Sequence, residues 1–149
     1  MKIAMAADHA GWKDKDRLAD RLRDLGHEVE DFGTDSGESC DYPDFAAKAA
    51  GAVAAAACDV GILVCGTGIG MSMTANKVRG IRAAACQTTD AARLSREHND
   101  ANVLCVGSRV TDAGTMDAIV DAWLGAEFQG GRHARRVSKI MALEEGGTG

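Results

Sequence analysis

Gly61-Ile62-Leu63-Val64-Cys65-Gly66-Thr67-Gly68-Ile69-Gly70, followed by Met71-Ser72-Met73-Thr74-Ala75-Asn76-Lys77, is the stretch from which the fold of this chain can be read. Ile62, Leu63 and Val64 form an unbroken apolar run after a turn-like Cys58-Asp59, the pattern of a buried strand. Cys65 stands where that strand must end. Gly66, Gly68 and Gly70 follow at alternate positions. Glycine takes φ > 0 freely, so this loop can curl its N–H groups into a concave nest. Met71 to Val78 has helix-forming composition, so the nest is expected to open onto a helix N-terminus, where unpaired N–H groups attract negative charge. A thiol beside an anion cradle at the end of a strand has the outline of a catalytic site. An inert packing cysteine after an ordinary glycine turn is the alternative.

The surrounding composition bounds the choice. The chain has 149 residues, 46% apolar and 26% charged, the balance of one globular domain with a substantial core. No apolar run approaches the roughly 18 residues of a membrane span. Met1-Lys2 leads directly into Ile3-Ala4-Met5-Ala6-Ala7 and then Asp8, too short a stretch for a secretory signal, so a cytoplasmic location is expected. The net charge of −5 argues against nucleic acid or a membrane surface as partner. One basic cluster breaks that pattern, Arg132-His133-Ala134-Arg135-Arg136. Five cysteines (Cys40, Cys58, Cys65, Cys86 and Cys105) are odd in number and lack Cys-x-x-Cys spacing; they read as reduced thiols, and no metal centre is expected.

In chain order, Lys2 to Ala7 reads as a strand, and a helix with Leu18, Leu22 and Leu25 on one stripe runs to Gly26, a C-cap glycine. Val29 to Phe32 is a second strand. Gly33 to Asp44 is expected as a loop that holds the only proline, Pro43. Phe45 to Ala57 is an alanine-rich helix suited to close packing, against its own domain or another subunit. The glycine-loop strand is third, Gly80 to Cys86 fourth and Val103 to Val106 fifth. Helices are expected over Asp90 to Glu97, with His98-Asn99-Asp100 as a turn after it, and over Thr111 to Leu124, with Thr111 as N-cap. A final helix, about 131–145, carries the basic cluster and the apolar Val137, Ile140 and Met141. Gly146 to Gly149 reads as a frayed tail. Alternating strands and helices give one doubly wound α/β domain over 1–149, with a parallel sheet covered on both faces.

In such sheets ligands bind beyond the carboxyl ends of the strands. Asp8-His9 follows the first strand, Cys65 to Gly70 the third and Arg109 the fifth, so independent polar groups converge on one edge. Asp8 also fits a helix N-cap, and His98-Asn99 fits an ordinary polar turn. Arg132 and Arg136 are spaced i, i+4 on one helical face, a geometry that can clamp a phosphate dianion or simply face solvent.

Taken together, Asp8-His9-Ala10-Gly11, Asp41-Tyr42-Pro43, Cys65 to Gly70, Ala75-Asn76-Lys77, His98-Asn99, Gly107-Ser108-Arg109 and Arg132-His133-x-x-Arg136-Val137 resemble the type B ribose-5-phosphate isomerases. These belong with the galactose-6-phosphate isomerase subunits, and the match spans nearly the whole chain in order. The resemblance implies a three-layer α/β/α, Rossmann-like domain with a five-stranded parallel sheet. It implies a metal-independent and cofactor-free aldose–ketose isomerase that works as a homodimer, or a dimer of dimers, with shared active sites. It also implies that the C-terminal helix reaches a partner subunit.

By position, the resemblance makes Cys65 the base that moves a proton between C2 and C1, with Thr67 and the amides of Gly66, Gly68, Ile69 and Gly70 on the enediolate. His98 would protonate the ring oxygen, and Asp8 would take the anomeric proton. Asn99 would contact sugar oxygens, and His9, Arg109, Arg132 and Arg136 would bind the phosphate or neighbouring hydroxyls. One branch of the family uses a glutamate just after the loop as base. Here Met71-Ser72-Met73-Thr74 holds no carboxylate, so Cys65 keeps that role.

The residue chemistry is compatible. A carbon acid α to a carbonyl needs preorganised donors for the charge that develops on oxygen, and a glycine nest supplies them. The same nest is expected to favour the Cys65 thiolate. The competing functions are an isomerase of a six-carbon sugar phosphate of galactose or allose 6-phosphate type, a non-catalytic phosphate- or nucleotide-binding module, and, more weakly, a cysteine hydrolase. The module leaves Cys65, His98 and the arginine pair without a role, and the chain lacks both a Gly-x-x-x-x-Gly-Lys-Ser/Thr loop and a Gly-x-Gly-x-x-Gly after the first strand.

Overall fold

The computed structural model describes residues 1–146. Its strands are β1 (Lys2–Ala7), β2 (Glu28–Asp31), β3 (Val60–Cys65), β4 (Ala83–Ala85) and β5 (Val103–Gly107). Its helices are α1 (Trp12–Asp24), α2 (Tyr42–Ala54), α3 (Ile69–Ala75), α4 (Thr89–Asn99), α5 (Ala113–Leu124) and α6 (Arg132–Ala142), with a 3-10 turn at Leu143–Glu145. The strands form one sheet in the order β2-β1-β3-β5-β4, and every pairing is parallel.

The period-2 alternation of each strand divides the core in two. Ile3, Met5, Ala7, Val60, Ile62, Val64, Leu104 and Val106 pack with Leu18 and Leu22 of α1, Ala92 of α4 and Met116, Ile119, Val120 and Trp123 of α5. The opposite face presents Ala4, Ala6, Leu63, Cys65, Val103 and Cys105 to Ala46, Ala49, Ala50 and Val53 of α2 and to Met71 and Ala75 of α3. One face is thus bulky and the other small-residued. The chain moves outward from β1 to β2, then crosses back to β3, so α1 and α3 leave adjacent strands toward opposite faces. That divergence opens a crevice beyond the carboxyl ends of β1 and β3.

Several boundaries fall elsewhere than sequence patterning suggests, for local reasons. α2 begins at Tyr42, with Pro43 inside its first turn, where a missing N–H costs nothing. Its buried alanines meet the chain's own sheet. α4 extends to Asn99, so His98 and Asn99 belong to its last turn, and the turn proper is Asp100, at φ 47. Asp112, not Thr111, caps α5: its carboxylate accepts the N–H of Thr115 at 2.9 Å and the Thr115 hydroxyl at 2.8 Å. Leu25 lies outside the α1 stripe and is 60% exposed. On α6 only His133 is buried, and Ile140 is exposed. Gly146 ends the described chain in a left-handed turn; the rest of the expected tail lies outside the described residues.

β4 is shorter than expected because Ala83-Ala84-Ala85 has little strand propensity of its own. Side-chain amides hold it. Asn76 donates from Nδ2 to the Ala83 carbonyl at 2.9 Å and accepts the Ala83 N–H on Oδ1 at 2.8 Å. Asn102 likewise accepts the Arg82 N–H at 2.8 Å and donates to the Gly80 carbonyl at 2.9 Å.

The loop leaving β1 presses on β3. Asp8 donates its N–H to the Val64 carbonyl at 3.2 Å, and a β-carbon at Gly11 would lie 2.6 Å from that same oxygen. Gly11→Ala is therefore expected to lower stability by about 1–3 kcal/mol. Gly51, inside α2 with nothing within 4 Å of an added β-carbon, should respond oppositely: Gly51→Ala raises stability by roughly 0.5–1 kcal/mol. Denaturant unfolding of both variants checks the pair, and equal responses would contradict the close approach.

Candidate active site

A cavity of ≈ 450 Å³ occupies the crevice, lined by Asp8, His9, Ala10, Tyr42, Cys65, Gly66, Thr67, Ile69, Gly70, Met73 and Arg109. β1 delivers Asp8 and His9, β3 delivers the cysteine and nest, and β5 delivers Arg109.

Asp8 is 7% exposed, and its Oδ1 accepts the N–H groups of Ala10 at 2.9 Å and Gly11 at 3.1 Å. These bonds organise the entry to α1 and hold the carboxylate in place, leaving Oδ2 without a partner among the described residues. His9 Nδ1 accepts the Cys40 N–H at 3.2 Å. That bond calls for an unprotonated Nδ1, so the neutral ring carries its proton on Nε2.

Cys65 is 4% exposed, on the small-residued face of the sheet. Its Sγ accepts the Gly68 N–H at 3.1 Å. Gly68 has φ 78, the left-handed value that turns this amide back toward the sulfur. Thr67 Oγ1 accepts the Ile69 N–H at 3.3 Å, which leaves its hydroxyl proton available to a ligand. The N–H groups of Gly66, Thr67 and Gly70 have no backbone partner among the described residues. Beside them the Arg109 side chain lies across Gly66, with Nη1 3.3 Å from where a β-carbon would stand, and no carboxylate pairs with it among the described residues. Free amides next to an unpaired guanidinium make an anion site.

Tyr42 also lines the cavity, a position that sequence patterning does not assign to it. It sits against Gly70, where a β-carbon would be 2.6 Å from its Cζ. The usable signal was Pro43, which marks the first turn of α2 and hence places Tyr42 at that helix's start.

His98, Asn99, Arg132 and Arg136 do not line this cavity. They form a second group where α6 leans on α4. The His98 and His133 rings stack with centroids 4.1 Å apart and planes 10° from parallel. Arg132 and Arg136 are exposed and without carboxylate partners among the described residues. Asn99 lines a separate cavity of ≈ 560 Å³ with Arg82, Asn76, Ile140 and Leu143. The expected site residues thus fall into two separate groups on the chain.

Burial pushes the His133 imidazole below its ordinary pKa, and the nearby His98, Arg132 and Arg136 push it the same way. The folded chain holds His133 neutral at pH values where the unfolded chain would protonate it. Its contribution to stability is therefore intact above the usual imidazole pKa of about 6.5 and is lost as pH falls below that toward the folded value. Titration by NMR should give His133 a midpoint below about 6.5; a higher one would contradict the packing described.

The family described as Ribose/Galactose Isomerase matches residues 3–140. Ribose-5-phosphate isomerase B of Escherichia coli K12 is 51% identical over 144 residues, covering 97% of each chain. The structure of ribose-5-phosphate isomerase B from Clostridium thermocellum superposes with a TM-score of 0.97 at 55% identity, covering 98% of this chain and 99% of that one. The Mycoplasma genitalium ribose-5-phosphate isomerase B, solved with bound ribulose 5-phosphate, gives a TM-score of 0.94 at 42% identity, with 97% and 96% covered.

Proposed function

This chain belongs to the ribose/galactose isomerase family, and we propose that it interconverts D-ribose 5-phosphate and D-ribulose 5-phosphate through an enediolate, with Cys65 as the base. The observation that carries the reading is the Cys65 sulfur held by the Gly68 amide beside free N–H groups and the Arg109 guanidinium. The five-carbon sugar is preferred over a six-carbon one because the relatives above bear the ribose 5-phosphate name. The reading also carries a cytoplasmic location, where five thiols stay reduced.

Ribose 5-phosphate must first open. His98 gives a proton to the ring oxygen while Asp8 takes the proton of the anomeric hydroxyl, and the C1–O4 bond breaks to leave the aldehyde. The Cys65 thiolate then removes the C2 proton. The electron pair moves into a C1–C2 double bond, and the carbonyl oxygen becomes negative within reach of the nest amides and the Thr67 hydroxyl. The thiol returns the proton to C1 while the C2 hydroxyl passes its own proton to the C1 oxygen, which leaves a C1 hydroxyl, a C2 ketone and the thiolate restored. Carbon is oxidised at C2 and reduced at C1, so the reaction needs no external redox partner.

Arg109 is the one guanidinium among the residues that line the cavity, against the two charges of a phosphate dianion. We place Arg132 and Arg136 at the phosphate together with His9 and Arg109, and Asn99 at the sugar hydroxyls. Because the second half-site lies apart from Cys65 in its own chain, a homodimer in which each copy lends α4 and α6 to the other's crevice is the arrangement proposed, as a dimer or a dimer of dimers. Reciprocal donation is what a two-fold interface generates from two half-sites per chain.

Cys65→Ala should lower kcat for ribose 5-phosphate by about 10²–10⁴ while a sugar phosphate still binds. Iodoacetamide should alkylate Cys65 before the other cysteines, and substrate should slow it. Near-normal turnover of the variant would remove Cys65 as base, and faster turnover of a hexose 6-phosphate would change the substrate.

Sharing of the site is tested by mixing. Cys65→Ala and Arg132→Ala/Arg136→Ala, each inactive alone, should recover roughly a quarter of the wild-type rate when unfolded and reassembled together. Half of randomly paired dimers are mixed, and each mixed dimer has one intact site. No recovery, with mixed dimers shown to form, would assign each site to a single chain.

A further inference from the structure

The last turn of α4 presents His98 and Asn99, and a helix C-terminus leaves carbonyls without intrahelical partners. Here an arginine from another element takes them. Arg82, which leads into β4, donates Nε to the carbonyls of Asn99 at 3.2 Å and Asp100 at 2.9 Å. Its Nη2 reaches the Asp100 carboxylate at 3.2 Å, and Nη1 reaches Met141 Sδ on α6 at 3.3 Å.

Arg82 is itself fixed before it fixes anything else. Its N–H is held by Asn102 Oδ1 at 2.8 Å, and its carbonyl accepts the Asn102 N–H at 3.0 Å. One planar guanidinium therefore spans the α4 terminus and α6, the same two elements whose His98 and His133 rings stack. It also contacts both the carbonyl and the carboxylate of Asp100, the residue whose left-handed conformation, at φ 47, ends α4.

We propose that Arg82 is a positioning residue for ring opening: its guanidinium sets the pose of the His98–Asn99 turn against α6, and so the aim of the His98 imidazole at the sugar ring oxygen. Arg82 acts through His98 and Asn99 and touches no substrate atom. The inference rests on the ring-opening role given to His98 above. The planar fork matters because it serves divergent acceptors at fixed angles, which an ammonium on a flexible stem does not.

The test separates ring opening from carbon proton transfer. Ribose 5-phosphate is a furanose, whereas ribulose 5-phosphate has its O5 phosphorylated and stays open, so exchange of its C1 proton with solvent deuterium bypasses ring opening. In the full-length assembled enzyme, Arg82→Met should lose about tenfold or more in kcat for ribose 5-phosphate and keep C1 exchange at saturating ribulose 5-phosphate within about twofold, a weakened Asn99 contact raising KM in both reactions. His98→Asn should show the same split. The double variant should be no slower than His98→Asn alone, since both changes act on one group. Arg82→Lys should fall between Arg82→Met and the unaltered enzyme.

Equal loss of both reactions, full activity, additive losses in the double variant, or failure of both Arg82 variants to fold would each overturn the inference and leave Arg82 a structural residue. A His98→Asn variant without the split would remove the ring-opening role and this inference with it. An unaltered enzyme without either reaction would overturn the functional reading itself.

Discussion

The arrangement depends on how little side-chain volume lies between α2, α3 and one face of the sheet. Ala4, Ala6, Cys65 and Cys105 on the strands meet Ala46, Ala49, Ala50 and Ala75 on the helices. Side chains this small let backbones approach closely, and the approach is what brings Tyr42, at the head of α2, onto Gly70. Larger residues here would lift α2 away and open the cavity wall. The opposite face takes the bulk instead, with Trp123, Met116, Leu18 and Leu22 filling it. The site is built on the face with least freedom to repack, and Cys65 is at once a core residue and a cavity residue.

Much of this was legible in the residues. Parallel strands buried on both faces must be apolar without interruption, so β1, β3 and β5 announce themselves, and the doubly wound order follows. The positions just past those strands were equally readable, because topology sends them to one edge. What escaped were decisions made by capping. Pro43 starts a helix instead of ending a loop, Asp112 takes the cap in place of its neighbour Thr111, and Asp100 lets α4 run on through His98 and Asn99. β4 escapes for a different reason: three alanines carry no strand signal, and the side-chain amides that hold Ala83 (from Asn76) and the approach at Gly80 and Arg82 (from Asn102) follow no local periodicity.

The separation of the two groups of expected site residues is also beyond sequence patterning. Local periodicity gives the i, i+4 spacing of Arg132 and Arg136, but where α6 docks depends on tertiary contacts. These include the His98–His133 stack, Arg82 Nη1 on Met141 Sδ at 3.3 Å, and, in the 3-10 turn that follows α6, both Glu144 carboxylate oxygens on the Gly80 N–H at 3.0 and 2.9 Å. The guanidinium of Arg109 in the cavity and those of Arg132 and Arg136 on α6 are therefore held in different parts of the chain, none with a carboxylate partner among the described residues.

The Asn76 clasp has a consequence for solubility. Arg82 and Cys86 direct their backbone bonds toward β5, so Ala83 between them turns its N–H and C=O away from the sheet. An exposed pair of this kind on a border strand is a template for a sixth strand from a neighbouring molecule, the first step of edge-to-edge aggregation. Asn76 fills that template from within the molecule, its carboxamide standing in for the missing peptide. At Ala83 the outward hydrogen-bonding pair is filled, and a neighbouring copy cannot continue the ladder through that residue.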